Sequence, residues 1–136
     1  MTIQEMKVGD TASVSKTVSE TDVYLFAGIT GDHNPAHVNE QDAAQTMFGK
    51  RIAHGILSAG FISAVLAMKL PGPGTIYLGQ DLKFKKPVYF GDTITATCTV
   101  TELIQEKNIA KLVTVCTNQN GVAVVEGQAT VMPPKE

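Results

Sequence analysis

Apolar and polar positions change rhythm twice along the 136 residues. From Thr11 to Val18 they alternate loosely, which predicts an edge strand. Ser19-Glu20-Thr21-Asp22 then supplies N-cap candidates, and Val23, Phe26 and Ala27 fit one face of a short helix. Gly28 to Pro35 reads as a loop, because two glycines punctuate it and Pro35 disfavours helical geometry at Asn34. Residues 39–48 are predicted to form one or two short helical turns. Between Gly55 and Leu70 the apolar side chains of Ile56, Leu57, Phe61, Ile62, Val65 and Leu66 recur on all sides. That is the pattern of a helix buried nearly all round, and Pro71-Gly72-Pro73-Gly74 stops it.

Beyond this stop the chain turns to Val, Ile and Thr, and strands are predicted over 75–78, 82–85, 92–101, 110–117 and 122–131. From Asp92 to Val100 threonines alternate with apolar residues, a strand with one wet and one buried face. Asn118-Gln119-Asn120-Gly121 is good chemistry for a hairpin connection. Helical elements first and antiparallel strands afterwards, around one very apolar helix, predict an α+β fold with that helix against a curved antiparallel sheet. Such a sheet leaves edges exposed, and pairing them in a dimer is one way to manage them.

Length and charge narrow the classes. The chain is too short for a dinucleotide-binding enzyme with a second domain or for a (β/α)8 barrel. It is long enough to bury roughly two thirds of its unfolded surface without disulfides or metal. Lys and Arg number 11 against 13 Asp and Glu, which leaves no electrostatic footprint for nucleic acid or an anionic membrane. Cys98 and Cys116 lie far apart without a CxxC spacing and are expected to be buried, unpaired thiols. With no cationic start and apolar run at the N-terminus, they point to a reducing cytoplasm. The Gly55–Leu70 stretch is too short to span a bilayer and contains two serines and Lys69.

The chemistry concentrates in Gly31-Asp32-His33-Asn34-Pro35-Ala36-His37, where carboxylate, amide and imidazole crowd a proline-braced loop. Asp32 and His37 are candidates to hold a water jointly, one accepting its proton while the other orients it. The competing reading is structural: Asp32 caps a turn and His37 is a satisfied histidine. A second candidate is the helix start at His54-Gly55, where glycine permits a ligand oxygen to approach the first free N–H groups. The competing reading there is a tight corner. Ser58 is expected to bond the carbonyl one turn back, whereas Ser63 shares a helix face with Leu66 and is a candidate to border a substrate tunnel. Asp32, His33, His37 and His54 would suffice for a two-histidine, one-carboxylate metal site, but Pro35 separates the first two histidines and no metal signature supports it; no metal is expected. Arg51 and Lys83-Lys85-Lys86 would meet ligand phosphates or merely form a solvated face.

The Asp32-to-His37 motif, followed by Ile52-Ala53-His54-Gly55 and a helix, resembles the MaoC-like (R)-specific enoyl-CoA hydratases of the hotdog fold. Tyr77-Leu78-Gly79-Gln80, Phe84-Lys85-Lys86-Pro87-Val88 and Gly91-Asp92 look like the β portion of the same family, so the likeness spans residues 1–136 as one domain. The resemblance implies a hotdog sheet around the central helix and edge-to-edge pairing of two subunits. It implies that Asp32 and His37 bind the water that adds to a trans-2-enoyl thioester, that Asn34 holds the loop, and that the Gly55 N–H meets the thioester oxygen. Ser63 falls on the family's active-site serine, Leu66 and nearby apolar groups would limit the acyl chain, and a single short hotdog implies short to medium chains. No metal or redox cofactor is implied, and the partner is an acyl-CoA substrate. Ala36 is smaller than the aliphatic residue often found there, and His33 is an unusual polar neighbour of the aspartate. Three other readings stand beside this one. A hotdog thioesterase would need a carboxylate on the central helix, and Gly55 to Leu70 has none. A non-catalytic acyl-thioester-binding protein would bind without turnover, which the intact Asp32/His37 pair counts against. A dehydratase acting on an acyl-carrier-protein thioester is not separable from the sequence.

Overall fold

The computed structural model describes residues 1–136. Strand β1 (Thr11–Thr17) leads into α1 (Glu20–Thr30), the short helices α2 (Pro35–Val38) and α3 (Glu40–Ala44), and the central helix α4 (Leu57–Met68). Four strands follow: β2 (Ile76–Phe84), β3 (Thr93–Ile104), β4 (Ile109–Thr117) and β5 (Ala123–Met132). The sheet runs β1-β3-β4-β5-β2, every neighbouring pair antiparallel, so β1 and β2 are its edges. The predicted edge strand and α+β arrangement are therefore present, and it is the hotdog layout: α4 packs most extensively on β3 and also touches β1, β4 and β2.

Two stretches differ from expectation. Gly28–Thr30, read as loop, complete the last turn of α1, and Pro35 opens α2, so the loop is only 31–34. The segments predicted over 75–78 and 82–85 form one continuous strand, because Tyr77-Leu78-Gly79 makes a bulge against β5 and the intervening Gln80-Asp81 stay paired with it. Further register shifts lie at Val100–Glu102 and Cys116–Thr117, and such extra residues bend a sheet and increase its twist.

The alternation in β3 resolves as its residue types demand. Ile94, Ala96, Cys98 and Val100 are buried against α4, while the threonines between them face the other side. There Thr99, Thr95 and Thr93 bond the hydroxyls of Thr11, Ser15 and Thr17 across the β1–β3 pair, at 3.0, 2.7 and 2.7 Å. Outward threonine thus supplies β-propensity and cross-strand bonds together. Ile62, Val65 and Leu66 of α4 join these inward β3 side chains in one buried cluster of 20 residues. Cys98 and Cys116 are both free and buried. Burial pushes their thiols up to about 12 and about 11 respectively. Ser58 departs from expectation: it is buried, but its hydroxyl bonds no carbonyl one turn back, and its own carbonyl instead accepts the Cys116 Sγ at 3.7 Å.

Candidate active site

The candidate loop is positioned from both ends. Ser19 and Asp22 form a reciprocal capping box at the start of α1, the Asp22 N–H donating to Ser19 Oγ at 3.0 Å and the Ser19 N–H to Asp22 Oδ2 at 2.9 Å. The helix ends at Gly31, whose φ of 82° is the left-handed conformation that glycine adopts without penalty. The chain then reverses through Asp32 into Asn34, which caps α2 by accepting from the Ala36 N–H at 3.0 Å, with Pro35 in the first helical turn.

The structural reading of Asp32 and His37 is met, since each side chain bonds the backbone through one atom. The Asn34 N–H donates to Asp32 Oδ1 at 3.2 Å, so one carboxylate oxygen closes an Asx turn. The Ile52 carbonyl lies 2.7 Å from His37 Nδ1, and since a carbonyl only accepts, this nitrogen carries the proton. What remains is Asp32 Oδ2, and His37 Nε2 as a free acceptor; both residues line a cavity of about 630 Å3. That is the size of a small-molecule pocket. The structural bonds leave one atom of each side chain unengaged.

The segment Ile52-Ala53-His54 runs behind the loop. Its backbone pairs with α2 and with the strand-like stretch before β3: the Ile52 N–H donates to the Ala36 carbonyl at 3.1 Å and the Ala53 N–H to the Val88 carbonyl at 2.8 Å. His54 is buried, with Nε2 at 2.9 Å from the Asp32 carbonyl and 4.0 Å from Asp32 Oδ2. Its ring stacks on that of His37, with centroids 3.9 Å apart. Next comes Gly55, on the cavity wall, whose N–H donates to no group of the protein. It precedes the first turn of α4, where orphan donors and the helix dipole favour a negatively charged oxygen.

Of the residues singled out from the sequence, Asp32, His37 and Gly55 thus meet at one cavity. Asn34 stands beside it as the helix cap. Ser63 and Leu66 are not brought to its wall: Ser63 is half-buried along α4 and Leu66 lies wholly inside the core. Lys85 and Lys86 line the cavity, but Lys83 does not. Arg51 is held elsewhere, donating to Glu20 Oε1 at 3.1 Å and Tyr24 Oη at 2.8 Å and stacked 4.9 Å from the Phe90 ring centre, so it ties α1 to the segment before α4. Asp32, His37 and His54 are the set whose metal-ligating atoms converge, within 4.8 Å of one another. His33 stands outside it. His54 Nε2 is already engaged by the Asp32 carbonyl and His37 Nδ1 by that of Ile52, which leaves one nitrogen on each ring for any other partner. Two contributions escaped the sequence reading. Phe84 covers Gly55 from the sheet side, and His54 contacts both members of the acid–imidazole pair. Only long-range packing marks either contact; the sequence singles out His54 as a helix-start residue and a candidate metal ligand, not as a support for this pair.

The chain is similar to proteins whose activity is known. It is 60% identical over 131 residues to an (R)-specific enoyl-CoA hydratase of Rhodospirillum rubrum, spanning 96% of this chain and 90% of that protein. It is 47% identical to a 3-hydroxybutyryl-CoA dehydratase of Methylorubrum extorquens, spanning 98% and 84% respectively. Among solved structures, the unliganded R-hydratase PhaJ1 of Pseudomonas aeruginosa superposes with a TM-score of 0.94 at 45% identity, covering 99% of this chain and 86% of that one. An (R)-hydratase of Aeromonas caviae involved in PHA biosynthesis superposes at 0.93 with 44% identity, covering 96% and 99%. Residues 4–122 match the MaoC like domain, and the chain belongs to that family.

Proposed function

We propose that this protein is an enoyl-CoA hydratase that adds water to a trans-2-enoyl-CoA, reversibly, to give an (R)-3-hydroxyacyl-CoA. The observation that carries the reading is the convergence of Asp32, His37 and the unbonded Gly55 N–H on one cavity. Asp32 Oδ2 and His37 Nε2 are the free ends of two groups otherwise held by the backbone, and a water between them has an acceptor on each side. In the forward direction the water oxygen bonds to C3 and one of the pair takes a proton from it. The electrons of the double bond pass toward the thioester, and the oxygen that gains charge meets the Gly55 N–H. A proton returned to C2 from the pair completes the addition. A donor of this kind is typically worth ~3 kcal/mol in the transition state. The step needs neither metal nor redox cofactor.

Asn34 contributes by holding the turn that presents Asp32. Lys85 and Lys86 at the cavity wall suit the phosphates of the CoA. The wall also includes Ala53, Val88 and Val125, which belong to the same apolar cluster as Leu66. Leu66 backs the acyl end of the site through that cluster without reaching the wall, Ser63 is assigned no contact with the acyl chain, and short to medium chains are the expected substrates. Residues 1–136 constitute one MaoC-like domain in this reading, working as a homodimer in the cytoplasm. Edge strand β2 supports the dimer, because it exposes Ile76, Tyr77, Leu78 and Phe84. No helix is long and apolar enough to cross a membrane.

The test is direct. Crotonyl-CoA should lose its conjugated-enoyl absorbance on addition of the protein, and chiral analysis should return the R product. Asp32→Asn and His37→Gln should each lower kcat by roughly 10^2-fold or more with the fold intact. Parental rates in both variants would overturn the assignment of roles.

A further inference from the structure

We propose that His54 is a positioning residue for the reaction, holding the Asp32 carboxylate and the His37 imidazole in register from behind the site; the inference rests on the hydratase reading above. Three observations converge on it. The Asp32 carbonyl can only accept, so the 2.9 Å contact makes His54 an Nε2–H donor that fixes the backbone of the catalytic carboxylate. The same ring stacks on His37 with centroids 3.9 Å apart and an interplanar angle of 30°, and Phe26 of α1 backs it at 4.8 Å. His54 is therefore packed between α1 and α2, touching one member of the pair through a hydrogen bond and the other through its face. It also immediately precedes Gly55, so the side chain that registers the pair and the backbone donor proposed for the thioester oxygen share one rigid corner.

The other ring nitrogen makes the case against a merely structural histidine. Nδ1 of His54 is the buried side-chain nitrogen or oxygen that has no hydrogen-bond partner in this fold. A buried acceptor without a protein partner is costly, so its presence calls for an explanation, and a positioning role supplies one. An apolar ring would fill the same space without that penalty but would release the Asp32 carbonyl. An amide would keep that bond but lose the face that His37 rests on. Tyrosine and tryptophan also pair a flat ring with a donor but are larger; histidine offers both in a five-membered ring.

Histidine-selective 15N NMR of the unaltered protein, together with two variants, tests this. His54 is expected as the Nε2–H tautomer and His37 as the Nδ1–H tautomer. In His54→Phe, kcat on crotonyl-CoA is expected to fall by roughly tenfold or more while KM changes by less than about threefold, since misplacement of reacting groups acts on the chemical step. His54→Gln, whose amide reaches toward the Asp32 carbonyl, is expected to recover part of that loss. The Nδ1–H tautomer at His54, a folded His54→Phe protein with parental kcat, or a loss confined to KM would each overturn the proposal. If the unaltered protein leaves crotonyl-CoA unchanged, the hydratase reading fails instead, and the tautomers still decide how the two rings are held. Should His54→Phe not fold, the tautomers and His54→Gln carry the test.

Discussion

Gly55 and Phe84 approach so closely that a Cβ on the glycine would lie 2.7 Å from Cδ1 of the Phe84 ring. Phe84 ends β2, and its ring lies over the corner that leads into α4, so the sheet edge is pressed against the backbone donor of the proposed site. The position demands glycine for its lack of a side chain, since no left-handed φ is involved. Gly55→Ala should shift the corner or the ring and lower kcat by about tenfold or more, as small misplacements near the reacting atoms do. Adding Phe84→Ala to Gly55→Ala should restore part of the rate. Steady-state kinetics of both variants checks this, and a double variant no faster than the single would remove the steric explanation.

Asp32 and His37 act on one water in the proposed mechanism, so their losses should not multiply. The double variant Asp32→Asn/His37→Gln is expected to be about as slow as the slower single variant, the behaviour of residues that work as a unit. Fully multiplicative losses, measured with crotonyl-CoA, would mean that the two groups serve separate steps.

The capping box at Ser19 and Asp22 anchors the helix that delivers the loop. Ser19→Ala should destabilise the protein by about 1 kcal/mol, which for this size corresponds to a fall in Tm of about 2–4 °C. The hydrogen bonds to Asp22, first from Lys16 at 2.8 Å and then from the Ser19 backbone, hold its carboxyl below the usual aspartate range. A depressed carboxyl contributes stability that is complete above the ordinary aspartate value and fades as pH falls toward the lowered one. The stability difference between the parent and Asp22→Asn should therefore shrink on acidification below about pH 4. Thermal denaturation between neutral and acid pH reads it.

Burial holds the thiols of Cys98 and Cys116 at about 12 and about 11, far from the ionised, reactive form at neutral pH. Neither should react with a disulfide reagent in the native protein near pH 8, and both should react once denaturant is added. A rapid native reaction at either site would show that the sheet opens locally between β3 and β4.

Much of the architecture was legible because it is written in local rules. The threonine alternation of β3 and the cap before α1 each state a pattern within a dozen residues, and the structure follows them. The apolar α4 is less enclosed than its composition predicts: Ser58, Ile62, Val65 and Leu66 are buried, while Gly60, Ala67 and Met68 are exposed. β2 was read as two strands because Gly79 and the polar Gln80-Asp81 interrupt the apolar run; pairing with β5 across a bulge keeps the backbone continuous. Backbone hydrogen bonding overrode side-chain polarity there.

The site divides along the same line. Residue order alone placed carboxylate, amide, proline and imidazole within six positions, and chain stiffness at Asn34-Pro35 required them to share one turn. Which nitrogen of His37 is free, however, depends on the carbonyl of Ile52, 15 residues further along the chain. That the Asp32 backbone rests on His54 and that Phe84 bears on Gly55 depend on separations of 22 and 29 residues. For Ser63 and Leu66, a shared helix face did not say which wall that face meets. Local sequence determines the conformations a segment can adopt and the functional groups it carries; orientation of a lone pair toward a cavity is decided only when distant segments pack, because only then are the competing hydrogen-bond partners chosen.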